Sequence, residues 1–427
     1  MKISVAPMKK LSGEAFIPGD KSISHRGIIL GAISSGDTNL KNFLMGKDCL
    51  STIEAFRQMG ISIDISPSSV VVHGKGLHGL REPASTIDAG NSGTTARLLL
   101  GLLAGQAFES RMTGDSSLQK RPMDRVVSPL RQMGASISGK ENGKFLPLTI
   151  RGGKLSGIEY CLPVASAQVK SAIILANLYA QSPSRIHEPA PSRDHTEVML
   201  RAFGARIEAE GSDILAYPAS GLFAQELWIP GDLSSAAYLI TAALLLPRSE
   251  LTLKAVGINP TRTGILDVYR DMGADIRIEN ITVSGGEKIG DITVKSSSLR
   301  STVIGGPLIP RLIDEIPVIA LAATQADGTT VIKDAQELKV KESNRIETVV
   351  ATLRSFGANI EATEDGMVIQ GPTPLKGAFI DSHMDHRIAL TAAVGGLIAR
   401  DETTIDGGEW IDISFPGFLE LIKRLGS

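Results

Sequence analysis

The sequence predicts an α/β protein in which one α+β unit is repeated six times and shared between two domains. Three observations predict this. A helix-ending phrase recurs as FRQMGISI ending at Ile63, LRQMGASI at Ile137, LRAFGARI at Ile207, YRDMGADI at Ile276 and LRSFGANI at Ile360, and a degenerate copy, IKRLG, closes on Gly426. Small-residue, strongly apolar segments recur at intervals of about 70 residues, starting at Ser22, Ser92, Ser166, Ser234, Asp314 and Asp385. Finally, IPGDKSISHRGIIL from Ile17 is echoed by IPGDLSSAAYLITAALL from Ile229, an offset near half the 427-residue chain.

Each element has a physical reading. In the recurring phrase, a cation three residues before the glycine suits the negative end of a helix. The preceding Met, Phe or Leu packs inward, and glycine provides a left-handed cap before a strand begins. Those arginines are read as structural. The apolar segments carry almost no polar face, so they are expected to be buried central helices whose capped starts hold the polar residues. The two Pro-Gly-Asp turns mark crossings between domains: 20–231 forms one, and 1–19 joins 232–427 to form the other, with hinges near Gly19-Asp20 and Gly231-Asp232.

Composition narrows the function. With 42% hydrophobic residues the chain can bury two cores. Its net charge of −2 and 4% aromatic content give no basic footprint or stacking platform for nucleic acid. No apolar run approaches membrane-spanning length, and the N-terminus lacks a signal-peptide pattern, so a cytoplasmic location is expected. Cys49 and Cys161 are too few for a disulfide framework and wrongly spaced for zinc; both are expected in the core.

Charge gathers at the starts of the central helices. Lys21, Ser22, Ser24 and Arg26 open the first; Asn91, Ser92, Gly93 and Thr94 the second; Ser166, Gln168 and Lys170 the third; Asp314 and Glu315 the fifth; Asp385, His386 and Arg387 the sixth. Unpaired N–H groups and the positive dipole end attract anions, and Lys and Arg reinforce that attraction for phosphate and carboxylate. An anion cleft is the expectation. Two further segments add cations: GDSSLQKRPMDR, with Lys120, Arg121 and Arg125, and ELKVKESNRIE, with Lys341, Glu342 and Arg345. The four-residue spacing of Lys341 and Arg345 puts both on one helical face, beside a glutamate able to shuttle a proton. In isolation each segment also reads as a solvated charged face.

Other motifs fail on context. GKGLHG (Gly74–Gly79) has the dinucleotide-binding spacing, but Pro83 falls where the helix should run. No ATP-binding P-loop is present. His383 and His386 have no second pair to support a metal, and no G-x-S-x-G elbow makes Ser22 or Ser166 a nucleophile.

Together, PGDKSISHR, DAGNSGTTARLLLG, GDSSLQKRPM, ASAQVKSA, SRDHTE, DEIPVIALAA, LKVKESNRI and DHRIAL resemble, in order and along the whole chain, the enolpyruvyl transferases, in their shikimate-type branch. The resemblance implies a two-domain inverse α/β barrel of six βαβαββ units, three per domain, around buried parallel helices. It implies transfer of enolpyruvate from phosphoenolpyruvate to the 5-hydroxyl of shikimate 3-phosphate, by a monomer without metal or organic cofactor. Shikimate 3-phosphate would be held by Lys21, Ser22, Arg26, Ser166, Ala167, Gln168, Arg193, Asp314 and Lys341. Phosphoenolpyruvate would be held by Lys21, Asn91, Gly93, Arg121, Gln168, Arg345 and Arg387. Asp314 would take the hydroxyl proton, and Glu342, with Lys21 near, would protonate carbon; that task requires crowding or burial to raise the glutamate pKa. Domain closure would assemble the site.

Some positions depart from the common pattern: Glu337 where many members have Asn, Ile413 where some have Lys, and Ala167 for Ser. They resemble the family's second sequence class. Gly93 leaves room for glyphosate that alanine would remove, whereas the class resemblance points to tolerance. The nearest rival is the sibling that acts on UDP-N-acetylglucosamine, which usually carries a cysteine before Arg-Pro, or in some members an Asp, and Asp115 lies close; ASAQVKSA and LKVKESNR favour the shikimate type. A repeat scaffold would not need Lys21, Arg121, Glu342 and Arg387 at helix starts, and an RNA-end-processing protein should carry a basic stripe.

Overall fold

The computed structural model describes residues 1–67 and 69–426. The chain forms two compact units, one of Met1–Pro18, Pro230–Thr282 and the chain from Lys288 onward, the other of Gly19–Ile229 with Val283–Glu287. Each has its own apolar core. The five residues Val283–Glu287 are a hairpin tip that packs with the second unit, where Ser284 Oγ accepts from Trp228 N at 2.9 Å. No local signal marks them in the sequence.

Among the described residues the strands form six sheets, three to a unit, and the repeat is visible in their pairing. Ile87–Asp88 runs parallel to Glu109–Thr113, which is antiparallel to Phe145–Arg151, itself antiparallel to Ser136–Gly139. The same order recurs from Glu159–Cys161 and from Val303–Ile304. Alternation explains the inner strands: in Ser69–Lys75, Val70 and Val72 are fully buried while their neighbours are partly exposed. Strands distant in sequence complete three sheets. Glu226–Trp228 pairs parallel with Ser35–Lys41, Ser12–Phe16 with Glu250–Gly257, and Lys2–Val5 closes the sixth sheet against Thr403–Asp406.

The recurring phrase behaves as a joint. Gly60, Gly134, Gly204, Gly273 and Gly357 all have φ between 85° and 109°, the left-handed region where a side chain is strained. Arg57, Arg131, Arg201 and Arg354 each donate to the carbonyl six residues on, at Ile63, Ile137, Ile207 and Ile360, tying helix end to strand start. The copy at Gly426 departs: its φ is −93°, and Gly426 bridges to Leu11 instead of turning into a strand.

The central helices are buried on every side; in Gly93–Ala104 ten of twelve residues are buried. A Cβ on Gly101 would lie 2.2 Å from the Ala172 carbonyl oxygen, so glycine permits the second and third helices to touch by their backbones. Their starts differ from the sequence expectation at three places. Ser92, Ser166 and Asp385 cap as expected, but the caps of the first and fourth helices are Asp20 and Asp232. The aspartate that ends each Pro-Gly-Asp turn reaches the helix N–H groups before the serines can. The fifth helix, Ile316–Ala323, starts at Glu315, which makes no capping bond with its side chain. Cys49 is buried, but Cys161 is exposed, since its strand Glu159–Cys161 lies at a sheet edge. No described helix is long and apolar enough to cross a membrane.

Candidate active site

In the Gly19–Ile229 unit, hydrogen bonds link the starts of the three central helices into one polar set. Lys21, the first residue of its helix, pairs with Asp48 at 3.2 Å and is about a fifth exposed. Ser22 lies within the first turn and gives its carbonyl to Arg26 Nη1 at 3.0 Å. Arg26 also donates from Nε to Thr196 Oγ1 at 2.7 Å and from Nη2 to Ser171 Oγ at 2.9 Å. Burial pulls its guanidinium down to about 10, and the positive charge of Arg193 adds to that lowering. Two neighbouring cations of this kind suit a dianion.

The second helix contributes Asn91, whose side chain sits between Asp115 Oδ2 (2.7 Å) and Arg121 Nη2 (2.9 Å). Arg97, one turn beyond Gly93, is a residue that sequence reasoning missed. Its Nη1 donates to Gln168 Oε1 at 2.6 Å and its Nη2 to the Pro122 carbonyl at 3.1 Å, while Gln168 Nε2 reaches Thr94 Oγ1 at 3.1 Å. Arg97 therefore fixes which face of the Gln168 amide is presented. A Cβ on Gly93 would come 2.9 Å from Arg97 Nη1 and 3.6 Å from Arg121 Nη1, so alanine there must displace the Arg97 guanidinium. The four-residue spacing of Gly93 and Arg97 was the available signal. Ser166 caps the third helix, with Ala167 as its first residue. Lys170 does not belong with the anion set: it is 1% exposed and locked between Glu188 (2.8 Å) and Glu197 (2.7 Å).

In the other unit, the set is built around Arg345. Its Nε and Nη2 grip Asp385 at 2.9 and 3.2 Å, Nη2 also reaches Glu342 at 2.6 Å, and Nη1 reaches Asp314 at 3.2 Å. Burial opposes the charge on this arginine, but Asp385 and Glu342 override it and push its pKa well above the ordinary value. Asp385 in turn is held below the carboxylate range by Arg345, against burial. Lys341 Nζ meets the same Asp314 oxygen at 3.3 Å. The helix begins only at Arg345, so helical spacing is not what aligns the two cations; the 341–344 loop brings Lys341 back to Asp314. Glu342 is about a quarter exposed and accepts from a cation, an environment different from the crowded or buried one its donor role calls for. Arg387, 7% exposed, lies 3.7 Å from Glu315, and Asp314, Tyr238 and Glu315 raise its pKa against the effect of burial.

Two cation-rich sets at helix starts, one carrying a carboxylate with two cations on a single oxygen, suit an enzyme acting on small anions. The chain belongs to the EPSP synthase (3-phosphoshikimate 1-carboxyvinyltransferase) family, whose model matches residues 5–422. It is 52% identical over 427 residues to the 3-phosphoshikimate 1-carboxyvinyltransferase of Desulforamulus reducens, covering 100% of this chain and 99% of that one. It is 54% identical over 420 residues to that of Geobacillus kaustophilus, covering 98% of each. The solved EPSP synthase from Acinetobacter baumannii superposes with a TM-score of 0.91 at 45% identity, over 100% of this chain and 98% of that one.

Proposed function

We infer that this chain transfers the enolpyruvyl group of phosphoenolpyruvate to the 5-hydroxyl of shikimate 3-phosphate, releasing phosphate, in the biosynthesis of aromatic compounds. The observation that carries the reading is the Asp314–Lys341–Arg345 cluster, a carboxylate held ready at a helix start in a chain that matches the family end to end. The same reading takes the enzyme as a cytoplasmic monomer acting on two small anions.

The reaction is an addition followed by an elimination. A proton adds to the methylene carbon of phosphoenolpyruvate, and the 5-hydroxyl oxygen bonds to the adjacent carbon as its own proton leaves. The group that protonated the methylene carbon then takes one methyl proton back as the C–O bond to phosphate breaks, which restores the double bond and releases phosphate. Asp314 accepts the hydroxyl proton, its charge kept available by Lys341 and Arg345. Glu342 delivers the proton to carbon together with Lys21, and to do so it must release the bond from Arg345 Nη2. Lys21, Ser22, Arg26, Ser166, Ala167, Gln168, Arg193, Asp314 and Lys341 bind shikimate 3-phosphate. Lys21, Asn91, Gly93, Arg121, Gln168, Arg345 and Arg387 bind phosphoenolpyruvate, where the cations stabilise the departing phosphate.

Phosphate release from phosphoenolpyruvate tests the reading, with shikimate 3-phosphate or UDP-N-acetylglucosamine as acceptor. Release is expected with the first alone; release with the second alone would assign the sibling activity. Within this mechanism, Arg121→Ala removes a charged donor set worth about 1.5–3 kcal/mol. KM for phosphoenolpyruvate is therefore expected to rise by about 10- to 150-fold, and an unchanged KM would refute the assignment.

A further inference from the structure

Glu315 occupies the cap position of the fifth central helix without capping it. Its side chain is 1% exposed, and Oε2 has no hydrogen-bond partner among the described residues. Oε1 instead accepts from the Ser234 hydroxyl and lies 3.7 Å from Arg387 Nη1. The direction of the Ser234 bond is fixed by chemistry. Arg262 Nη2 donates to Ser234 Oγ and to Asp232, and a guanidinium cannot accept, so the hydroxyl proton must point to Glu315. The chain Asp232–Arg262–Ser234–Glu315–Arg387 thus runs across the starts of all three central helices of this unit.

A buried carboxylate with one oxygen unsatisfied costs stability. A neutral amide would serve the tie to Ser234 equally well, and the cation that the charge directly faces is Arg387, with Arg262 one hydroxyl further away. We propose that Glu315 is a positioning residue, which holds the Arg387 guanidinium in the orientation that receives phosphoenolpyruvate, with Ser234 and Arg262 as the arm that fixes Glu315. This rests on the assignment of Arg387 to phosphoenolpyruvate made above.

Glu315→Gln keeps the volume and an acceptor for Ser234 but removes the charge facing Arg387. It is expected to raise KM for phosphoenolpyruvate about three- to tenfold, as for one weakened charged contact, leaving KM for shikimate 3-phosphate unchanged and kcat within about twofold. Ser234→Ala, which leaves Glu315 in place but unfixed, should shift the same KM in the same direction by less, and covers the case in which the first variant fails to fold. Glu315→Gln in an Arg387→Lys background should add little further. A KM for phosphoenolpyruvate that is unchanged or lowered, or both KM values rising together with a loss of thermal stability, would overturn the proposal in favour of a purely structural tie. Arg387→Lys alone separates the two levels: if it leaves KM for phosphoenolpyruvate unchanged, the binding assignment fails, whereas if it raises KM and Glu315→Gln does not, only the positioning role fails.

Discussion

In Asp314→Asn, kcat is expected to fall by about 10²- to 10⁴-fold, the usual worth of a positioned general base, far more than KM for shikimate 3-phosphate rises, while KM for phosphoenolpyruvate moves little. Asparagine keeps the shape and one acceptor oxygen, so Lys341 or Arg345 retains a partner. Arg345 also keeps Asp385 and Glu342, and the fold does not depend on Asp314 alone. What is lost is the ability to take a proton. Steady-state kinetics with each substrate varied in turn checks this; equal losses in kcat and in substrate affinity would leave Asp314 a binding group alone.

Lys170→Met should have the largest effect on stability. It removes the only cation that bonds Glu188 and Glu197 among the described contacts while keeping the aliphatic volume, which leaves two buried carboxylates unpaired. Breaking a buried ion pair from one side costs about 3–5 kcal/mol, and chemical denaturation of the full chain should show the loss. The sign of its pH dependence follows from Glu197, whose pKa burial raises despite Lys170. A carboxyl raised in the folded state contributes stability that is present below its unfolded value, about 4.3, and is lost as pH rises through the folded value. The defect of the variant should therefore grow from acid to neutral pH. A defect of equal size at both ends would show that packing, not charge, is what was lost. Adding Glu188→Gln and Glu197→Gln to Lys170→Met should recover much of the stability, since no charge is then buried alone.

The mixture of legible and hidden features has a physical basis. The repeat glycines and their arginines were readable because cap and partner lie within seven residues of each other, as in Arg57–Gly60–Ile63. Ser92, Ser166 and Asp385 were readable as caps for the same reason. Lys170 was grouped with the anion-binding residues because its position near a helix start resembles theirs. Its partners Glu188 and Glu197 lie 18 and 27 residues away, and no local pattern shows that they turn inward. Asp48 beside Lys21, and Arg97 beside Gln168, were missed on the same ground.

By itself the sequence determined the six-fold repeat, the buried central helices and the collection of charge at their starts, because helix periodicity, capping and glycine-dependent turns act over a few residues. Only the tertiary structure decided which charges neutralise one another. It placed Lys170 in a closed ion cluster, wrapped Arg345 in three carboxylates, set Glu315 against Arg387, and carried Val283–Glu287 into the Gly19–Ile229 unit. Ion pairing is decided by distance in space and by burial, and the folding of distant segments against one another sets both.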